Sequence, residues 1–194
     1  MRIAAVADLP SRYGRFQVIA FVDSHGESAH AAFVHGEVSG SEDVLVRLHS
    51  ECLTGDVAGS LRCDCRDQLE SSLKQVGQSE RGVVLYLRQE GRGIGFANKI
   101  RAYALQDKGM DTVLANEALG FRDDEREYET ASLMLNVLGV RSIRLLTNNP
   151  RKMEGLAKYG VKIAERVPLI VRRTEHSEFY LDTKGRKSGH ILDG

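Results

Sequence analysis

The three cysteines of this 194-residue chain lie close together in the sequence, as Cys52-x10-Cys63-Asp64-Cys65. Three thiolates can hold a zinc ion and leave one of its four tetrahedral positions open to water, which is the usual arrangement of a catalytic zinc site. Zinc lowers the pKa of bound water to about 7, so such a site supplies hydroxide at neutral pH. The neighbouring Arg62 and Arg66 could offset the charge of the thiolates. We expect Cys52, Cys63 and Cys65 to bind one Zn²⁺.

The spacing alone leaves other interpretations of the cysteines open. They could be buried free thiols that act as small apolar side chains. His49 could complete a closed, four-ligand structural zinc site. His49-Ser50-Glu51 also matches the His-x-Glu half of the zinc nucleoside deaminases, but the chain lacks their second half, Pro-Cys-x-x-Cys. A deaminase is therefore the weaker enzyme hypothesis.

A glycine-rich segment, residues 90–95 (EGRGIG), follows a predicted strand at 83–87 and precedes a predicted helix at 97–108. Glycines let the backbone approach a ligand closely, and a helix N-terminus favours phosphate. The spacing is not G-x-G-x-x-G, which argues against a Rossmann dinucleotide site. A tight connection without any ligand is the simpler alternative, and the segment by itself does not distinguish the two.

The elements that must position these residues follow from the spacing of apolar side chains. In the first fifty residues, short apolar runs predict strands at 16–22, 29–34 and 44–48, and their close spacing predicts an antiparallel meander. Beyond residue 67 the period becomes helical, because Leu69, Leu73 and Val76 repeat at i, i+4 and i+7. Further helices are predicted at 124–138 and from Asn149-Pro150 to Gly160, and further strands at 143–146 and 161–164.

This order of elements predicts an α+β fold, with an N-terminal antiparallel β meander followed by an α/β half with a mixed sheet. The sequence contains no clear linker and no internal repeat, so we expect a single compact unit. Residues 1–170 would form this unit, and residues 171–194 would form a polar C-terminal tail that could be flexible.

The charge balance and hydropathy narrow the classes of partner. Lysine plus arginine equals aspartate plus glutamate at 27 each, and the absence of a basic excess argues against a nucleic-acid partner. The N-terminal segment MRIAAVADLP has no long apolar core, and no apolar run approaches the ~20 residues that a membrane span requires. We therefore expect no membrane association and a cytoplasmic location, where thiols serve more often as ligands or nucleophiles than as disulfides.

Several segments of the chain, in the same order, resemble GTP cyclohydrolase II. They are residues 47–56 (RLHSECLTGD), 60–65 (SLRCDC), 88–95 (RQEGRGIG), 98–103 (NKIRAY), 145–150 (LLTNNP) and 180–184 (YLDTK). The resemblance covers nearly the whole chain, and several ordered motifs are far more specific than any one of them. Arg66-Asp67 departs from the family pattern, which commonly has a glycine there, and places extra charge beside the predicted zinc ligands.

The resemblance implies that residues 1–170 form a GTP cyclohydrolase II catalytic domain. Such an enzyme removes C8 of GTP as formate, releases pyrophosphate and forms 2,5-diamino-6-ribosylamino-4(3H)-pyrimidinone 5′-phosphate, in the first step of riboflavin biosynthesis. The resemblance also implies one Zn²⁺ per chain, Mg²⁺ with the substrate phosphates, and a homodimer. Two alternatives stay open: the same chemistry in a secondary-metabolite pathway, such as that of toxoflavin or a deazapurine, and a zinc nucleotide-binding module without turnover.

The resemblance also implies the roles of individual residues. The GTP contacts would be Arg47, Leu48, His49, Ser50, Glu51, Gln68, Glu90, Gly91, Arg92, Thr112, Thr147 and Lys152. Asp124 would accept a proton, Arg126 would be a nucleophile on the α-phosphorus, and Tyr103 would aid ring opening. We interpret Arg126 instead as an electrostatic stabiliser, since a guanidinium stays protonated and has no free lone pair. Without the resemblance, Tyr103 would fit a core stripe with Phe96 and Ile100, and Asp124 an ordinary helix first turn.

Overall fold

The computed structural model describes residues 1–23, 29–122 and 124–169, so the predicted tail at 171–194 lies outside the described residues. Seven strands form one mixed sheet with the spatial order β1-β2-β3-β5-β4-β6-β7. The strands are β1 (Arg2–Ser11), β2 (Gly14–Val22), β3 (Ala29–His35), β4 (Val44–Ser50), β5 (Gly82–Leu87), β6 (Ile143–Leu146) and β7 (Ile163–Val167). The helices are α1 (Cys65–Gln78), α2 (Phe96–Gln106), α3 (Thr112–Ala118), α4 (Glu129–Val137) and α5 (Pro150–Lys158). The predicted α+β fold with a mixed sheet is therefore confirmed.

The antiparallel part of the sheet contains β1, β2 and β3, and β3 also pairs antiparallel with β5. The sequence analysis missed β1, because Arg2–Ser11 is an edge strand with nearly every residue exposed and therefore carries no burial pattern. The third predicted strand does not continue the meander. It is β4, which pairs parallel with both β5 and β6. Every residue of β4 before Ser50 is buried, as is typical of a central parallel strand.

The helical predictions need two corrections. The helix predicted at 124–138 begins only at Glu129, so Asp124 and Arg126 lie in the loop before α4. The reason is local, because the Asp124 carboxylate accepts hydrogen bonds from the backbone N–H and guanidinium of Arg126 instead of capping a helix. The short helix α3 was missed altogether. By contrast, Asn149 caps α5 as predicted, accepting a hydrogen bond from the Arg151 N–H with Pro150 at the first helical position.

Helices cover both faces of the parallel half of the sheet. On one face α1 packs through Val76 against Leu45, Val84 and Leu146. On the other face α4 and α5 pack against the main core, which includes Val46 and Leu85. The connections from β4 to β5 and from β6 to β7 leave in opposite directions, so the carboxyl ends of β4 and β6 flank a topological switch point, where α/β sheets bind ligands. Within the three described ranges, no helix is long and apolar enough to span a membrane.

Candidate active site: a thiol cluster beside an arginine cluster

The three cysteines come together where β4 ends and α1 begins. Cys52 directly precedes a single π-helical turn, Leu53–Val57, and Cys65 is the first residue of α1. All three Sγ atoms lie within 4.8 Å of one another, and those of Cys52 and Cys63 are 3.7 Å apart. None of the three forms a disulfide. This set of sulfur donors could hold a metal ion.

Gly55 closes one side of the thiol cluster with its backbone. A Cβ atom built on Gly55 would lie 2.9 Å from the Cys63 Sγ, 3.0 Å from the Cys65 Cβ and 3.1 Å from the Cys52 Sγ. Contacts this short require the sulfurs to move, so only glycine fits without spreading the cluster. The requirement for glycine here comes from the space that the sulfurs occupy, since its φ is not positive.

The buried carboxylate of Asp56 fixes the backbone of Cys52 through a hydrogen bond. Asp56 accepts hydrogen bonds from the Cys52 backbone N–H at 3.0 Å and from the Tyr86 hydroxyl at 2.9 Å, and both of its oxygens lie 3.0 Å from the His49 Nε2. The His49 ring also stacks on Tyr86 with 5.4 Å between centroids. Burial lowers the pKa of His49 despite the contact with Asp56. His49 is therefore a neutral part of this network, and the described cluster of possible metal ligands contains only the three thiols.

Lys99 contacts the thiol cluster from α2. Its Nζ donates hydrogen bonds to the Cys52 Sγ at 3.1 Å and to the Glu90 Oε1 at 2.8 Å. Arg62 and Arg66, which could have offset the charge of the thiolates, make other ion pairs. Arg62 pairs with Asp107, and Arg66 donates to Glu70 at 3.1 Å on the exposed surface of α1. The positive charge beside the sulfurs thus comes from a buried lysine that the sequence analysis did not select.

Charge and hydrogen bonding make the thiol of Cys52 more acidic than that of Cys63. Its contacts with Cys63, Cys65 and Lys99 outweigh burial and lower its pKa, whereas the contact with Cys52 raises the pKa of Cys63 to about 11. Of these two thiols, Cys52 is the first to lose its proton.

Tyr103 lies beside the thiol cluster rather than in the core. Its phenol interacts with the Thr54 side chain, the Arg62 guanidinium lies 4.8 Å from its ring centroid, and the Lys99 Nζ lies 5.6 Å from the same point. Phe96 and Ile100, its partners in the alternative core stripe, are 44% and 40% exposed. Burial raises the pKa of Tyr103, so the phenol keeps its proton at neutral pH and can donate a hydrogen bond.

The second cluster is rich in arginine and lies at the switch point. Arg47, on β4, donates to the Leu146 carbonyl at 2.9 Å and to the Gln68 Oε1 at 2.6 Å. Gln68 in turn donates to the buried Asp64 at 2.6 Å, which links this cluster to the chain between Cys63 and Cys65. Burial lowers the pKa of Arg47 to about 10, so the guanidinium stays charged at neutral pH.

Asp124 and Arg126 form a two-pronged ion pair within this cluster. The Arg126 Nε donates to the Asp124 Oδ1 at 2.8 Å, its terminal nitrogen donates to Oδ2, and both side chains are about nine-tenths buried. The Arg151 guanidinium lies 4.0 Å from the same carboxylate, and the charge of Arg92 also acts on it. Burial alone would raise the pKa of Asp124, but the hydrogen bonds and charge of Arg126 reverse this and lower it.

Two buried polar atoms of this region have no hydrogen-bond partner among the described residues. They are the Arg47 Nε and the Tyr128 hydroxyl. The charges of Arg126, Arg151 and Arg47 all act on the Tyr128 hydroxyl, so the phenol belongs to the same neighbourhood. Buried donors without a partner are rare in folded proteins, and they are compatible with a polar ligand that completes the site.

The remaining predicted contacts other than Thr112 lie at or near the carboxyl ends of β4, β5 and β6. The Lys152 Nζ donates to the Leu48 carbonyl at 2.7 Å, and the Thr147 hydroxyl accepts from the Asn149 N–H at 3.0 Å. Ser50 accepts from Gln89 at 3.0 Å, and Glu51 pairs with Arg88 at 3.5 Å. The backbone of Gly91-Arg92 takes positive φ values, and the Arg92 carbonyl accepts from the Glu125 N–H at 2.9 Å. Thr112 is the first residue of α3.

The Glu90 carboxylate is largely occupied by hydrogen bonds from the protein itself. It accepts three hydrogen bonds, from the Leu53 N–H at 2.6 Å, the Gly91 N–H at 2.9 Å and the Lys99 Nζ at 2.8 Å. A carboxylate offers about four lone-pair positions. One position is left, so two further donors of a purine could bind only if an internal hydrogen bond were given up.

Sequence reasoning missed four residues that shape the site, namely Gly55, Asp56, Asp64 and Lys99. All four lie inside the segments that carry the resemblance, but their residue types have common structural uses. A glycine fits any tight turn, and a helical lysine is normally exposed. Only their three-dimensional neighbours, the sulfurs and the buried carboxylates, distinguish them.

The fold and the site together define a class of α+β protein. It has a cluster of three thiols that could hold a metal ion, and a cluster of arginines at the topological switch point of the sheet. Comparison with known proteins agrees. The profile of the family described as GTP cyclohydrolase II matches residues 2–168. The chain is 54% identical over 194 residues to the GTP cyclohydrolase-2 of Cronobacter sakazakii, covering 100% of this chain and 98% of that protein. The chain belongs to the GTP cyclohydrolase II family.

Other relatives differ in how much of their own length the match covers. The GTP cyclohydrolase-2 of Picrophilus torridus is 52% identical over 186 residues, which are 96% of either chain. The riboflavin biosynthesis protein RibBA of Endomicrobium trichonymphae is 56% identical over 185 residues, which are 95% of this chain but 46% of that protein. The solved RibBX, a two-domain 3,4-dihydroxy-2-butanone 4-phosphate synthase from A. baumannii, matches at a TM-score of 0.51 and 15% identity, over 86% of this chain and 40% of that one. That last likeness is one of fold alone.

Proposed function

We propose that this protein opens the imidazole ring of GTP by hydrolysis, releasing formate and pyrophosphate and forming the diaminopyrimidinone 5′-phosphate that begins riboflavin biosynthesis. The observation that carries the proposal is the pairing of a three-thiol cluster with an arginine cluster, joined through Asp64, Gln68 and Arg47. Family membership supports the same reaction. One cluster suits the purine ring and the other the triphosphate.

Cys52, Cys63 and Cys65 would hold Zn²⁺, since sulfur donors select zinc and three of them leave an open position. When bound, the ion supplies Lewis acidity and lowers the pKa of water at this point. The chain's own contribution is to fix the sulfurs through Gly55 and Asp56 and to place the protonated Tyr103 phenol beside them. That phenol could donate a hydrogen bond to the purine as the ring opens.

The arginine cluster would bind the phosphates. Arg126 can pair with phosphate oxygens as it now pairs with Asp124, because carboxylate and phosphate match the same guanidinium fork. The lowered pKa of Asp124 makes its carboxylate a poor proton acceptor, so we assign it the role of orienting Arg126. Mg²⁺ would accompany the phosphates, since this hard cation prefers oxygen ligands.

Recognition of the guanine by Glu90 stays a prediction, since the carboxylate is already engaged by three donors. The other predicted GTP contacts, the homodimer and the cytoplasmic location are likewise proposals that rest on family membership. No feature of the described residues favours a secondary-metabolite pathway over riboflavin.

The deciding experiment is incubation of the purified protein with GTP, Zn²⁺ and Mg²⁺, with separate assays for formate and pyrophosphate. We expect both products from GTP, and little from ATP, because a site built to pair the donors of guanine rejects a base that lacks them by roughly 10⁴-fold. Binding of GTP without either product would replace this proposal with the nucleotide-binding module. Comparable turnover of ATP would remove the assignment of guanine recognition.

A further inference from the structure

We propose that Lys99 is a positioning residue for Cys52. Its ammonium group offsets the negative charge at the Cys52 sulfur, and Glu90 holds the lysine in place. The inference rests on the proposed metal-binding role of the three cysteines. It assigns Glu90 mainly to the metal centre and adds a residue outside the set of predicted site residues.

The geometry around Lys99 leaves its ammonium group little freedom. The Lys99 side chain is 9% exposed, and the Nζ lies between the Cys52 Sγ at 3.1 Å and the Glu90 Oε1 at 2.8 Å. Its stem packs on Gly91, where an added Cβ would lie 3.1 Å from the Lys99 Cβ. The glycine at position 91 thus lets the lysine cross the turn and reach the sulfur.

Glu90 reaches Cys52 by two routes. One oxygen holds Lys99, which donates to the sulfur, and the other accepts the hydrogen bond of the Leu53 N–H at 2.6 Å, directly after Cys52 in the chain. Together with the Asp56 hydrogen bond to the Cys52 N–H, these contacts fix both the backbone and the sulfur of this residue.

The charge balance explains why a lysine belongs here. Three thiolates around a divalent cation leave one net negative charge in a partly buried place, and burying an uncompensated charge is costly. The Lys99 ammonium lies 3.1 Å from the Cys52 Sγ and offsets the negative charge at that sulfur, while Glu90 balances the charge of the lysine itself. A hydrogen bond to a metal thiolate also withdraws electron density from the sulfur, so the lysine keeps the metal a stronger Lewis acid.

Cobalt(II) in place of zinc tests the proposal, because thiolate-to-cobalt charge transfer reports the electron density on sulfur. We expect the charge-transfer band of Lys99→Met to move to longer wavelength and that of Lys99→Arg, which keeps a charged donor, to return towards the wild-type position. Lys108→Met, the same change at an exposed lysine just after α2, should leave the band in place. The kcat for formate release by the zinc-loaded Lys99→Met protein should fall about tenfold or more, with the KM for GTP unchanged.

The outcomes separate this inference from the proposed function. If wild-type protein gives no charge-transfer band with cobalt, the metal-binding proposal fails first. If the band forms and a folded Lys99→Met leaves it unmoved, the role of Lys99 is wrong while the metal site stands. A raised KM with unchanged kcat would also overturn it, since the lysine would then contact GTP. If Lys99→Met does not fold because it leaves Glu90 unpaired, the double variant Lys99→Met, Glu90→Gln removes both charges. The position of its cobalt charge-transfer band then tests the role of Lys99 by the same criteria.

Discussion

The thiol cluster and the arginine cluster lie at the same edge of the sheet, but their charges are arranged in opposite ways. In the first, three sulfurs lie together and one buried lysine, Lys99, donates a hydrogen bond to that of Cys52. In the second, several cations surround one buried carboxylate, Asp124. Soft sulfur donors favour a metal such as zinc, whereas a cationic cluster favours phosphate. The difference suggests that each region serves one of two hydrolyses, and that mutations can separate them.

The largest effect should come from removing a sulfur. Cys63→Ser replaces one of the three proposed metal ligands by a hydroxyl, and several kcal/mol of metal-dependent stabilisation correspond to a loss of about 10⁴-fold in formate release. Pyrophosphate release should persist, because the arginine cluster is untouched. Leu61→Ser, an exposed neighbour, is the control and should leave both products unchanged. Equal loss of both products from a folded Cys63→Ser protein would show that the two regions do not act separately.

The reverse experiment removes a cation. Arg126→Ala should slow pyrophosphate release by about 10³-fold, since an arginine that stabilises the transition-state charge is worth that much in phosphoryl transfer. The control is Arg122→Ala, at an exposed arginine that pairs with Glu125. Formate release should fall less than pyrophosphate release. A larger fall in formate would mean that phosphate binding controls ring opening, and the comparison would have to be abandoned.

The two regions also differ in how well the sequence predicted them. The cysteines were recognisable because three thiols at short spacing are rare, and they do converge. Asp124 and Arg126 do converge, yet their element was predicted wrongly, because their mutual ion pair replaces the first turn of the expected helix. Nothing in the sequence indicated that Lys99 and Asp56 belong to the site, since burial of a charge depends on partners that are distant in the sequence. The central strands were readable from their apolar runs, whereas the exposed edge strand β1 was not.

A smaller effect should follow from removing the hydroxyl of Tyr103. Tyr103→Phe keeps the ring beside Arg62 and Lys99 and removes only the hydroxyl, with its interaction with Thr54 and the proton that it could donate. General acid–base assistance of this kind is worth roughly 10²-fold, so formate release should slow by about that factor with little change in Tm. Tyr159→Phe, at the end of α5, serves as the matched control. Normal turnover by folded Tyr103→Phe would remove this residue from the site.

The metal affinity should respond to Gly55. In Gly55→Ala the new methyl group would lie about 3 Å from two sulfurs and must push the cluster apart. We expect zinc affinity, measured by competition with a chelator, to fall about 10- to 100-fold, as for other changes next to metal ligands. Gly40→Ala is a poor control because its φ is positive, so Ala58→Gly just after the π-helical turn is preferable. Undiminished affinity would mean that the cluster is wider when metal is bound.

The smallest effect concerns stability, and it tests the charge design of the arginine cluster. Because Arg126 lowers the pKa of Asp124 in the folded protein, the ionised carboxylate stabilises the fold at pH values above its unfolded pKa of about 3.9. A charged hydrogen-bonded pair is worth about 2 kcal/mol, which for a chain of this size is roughly 4–8 °C in Tm. Asp124→Asn should lower the Tm by that amount at neutral pH.

The pH dependence separates this ion pair from a general weakening of the fold. As the pH falls below about 4 and through the lowered folded pKa, wild-type Asp124 becomes protonated, so its advantage over Asp124→Asn should shrink towards zero. Glu165→Gln breaks an exposed pair with Arg144 and should change the Tm little at any pH, since exposed pairs contribute less than about 1 kcal/mol. A Tm difference for Asp124→Asn that stayed constant down to pH 3 would show that the variant disturbs packing, and that the carboxylate charge does not hold Arg126 in place.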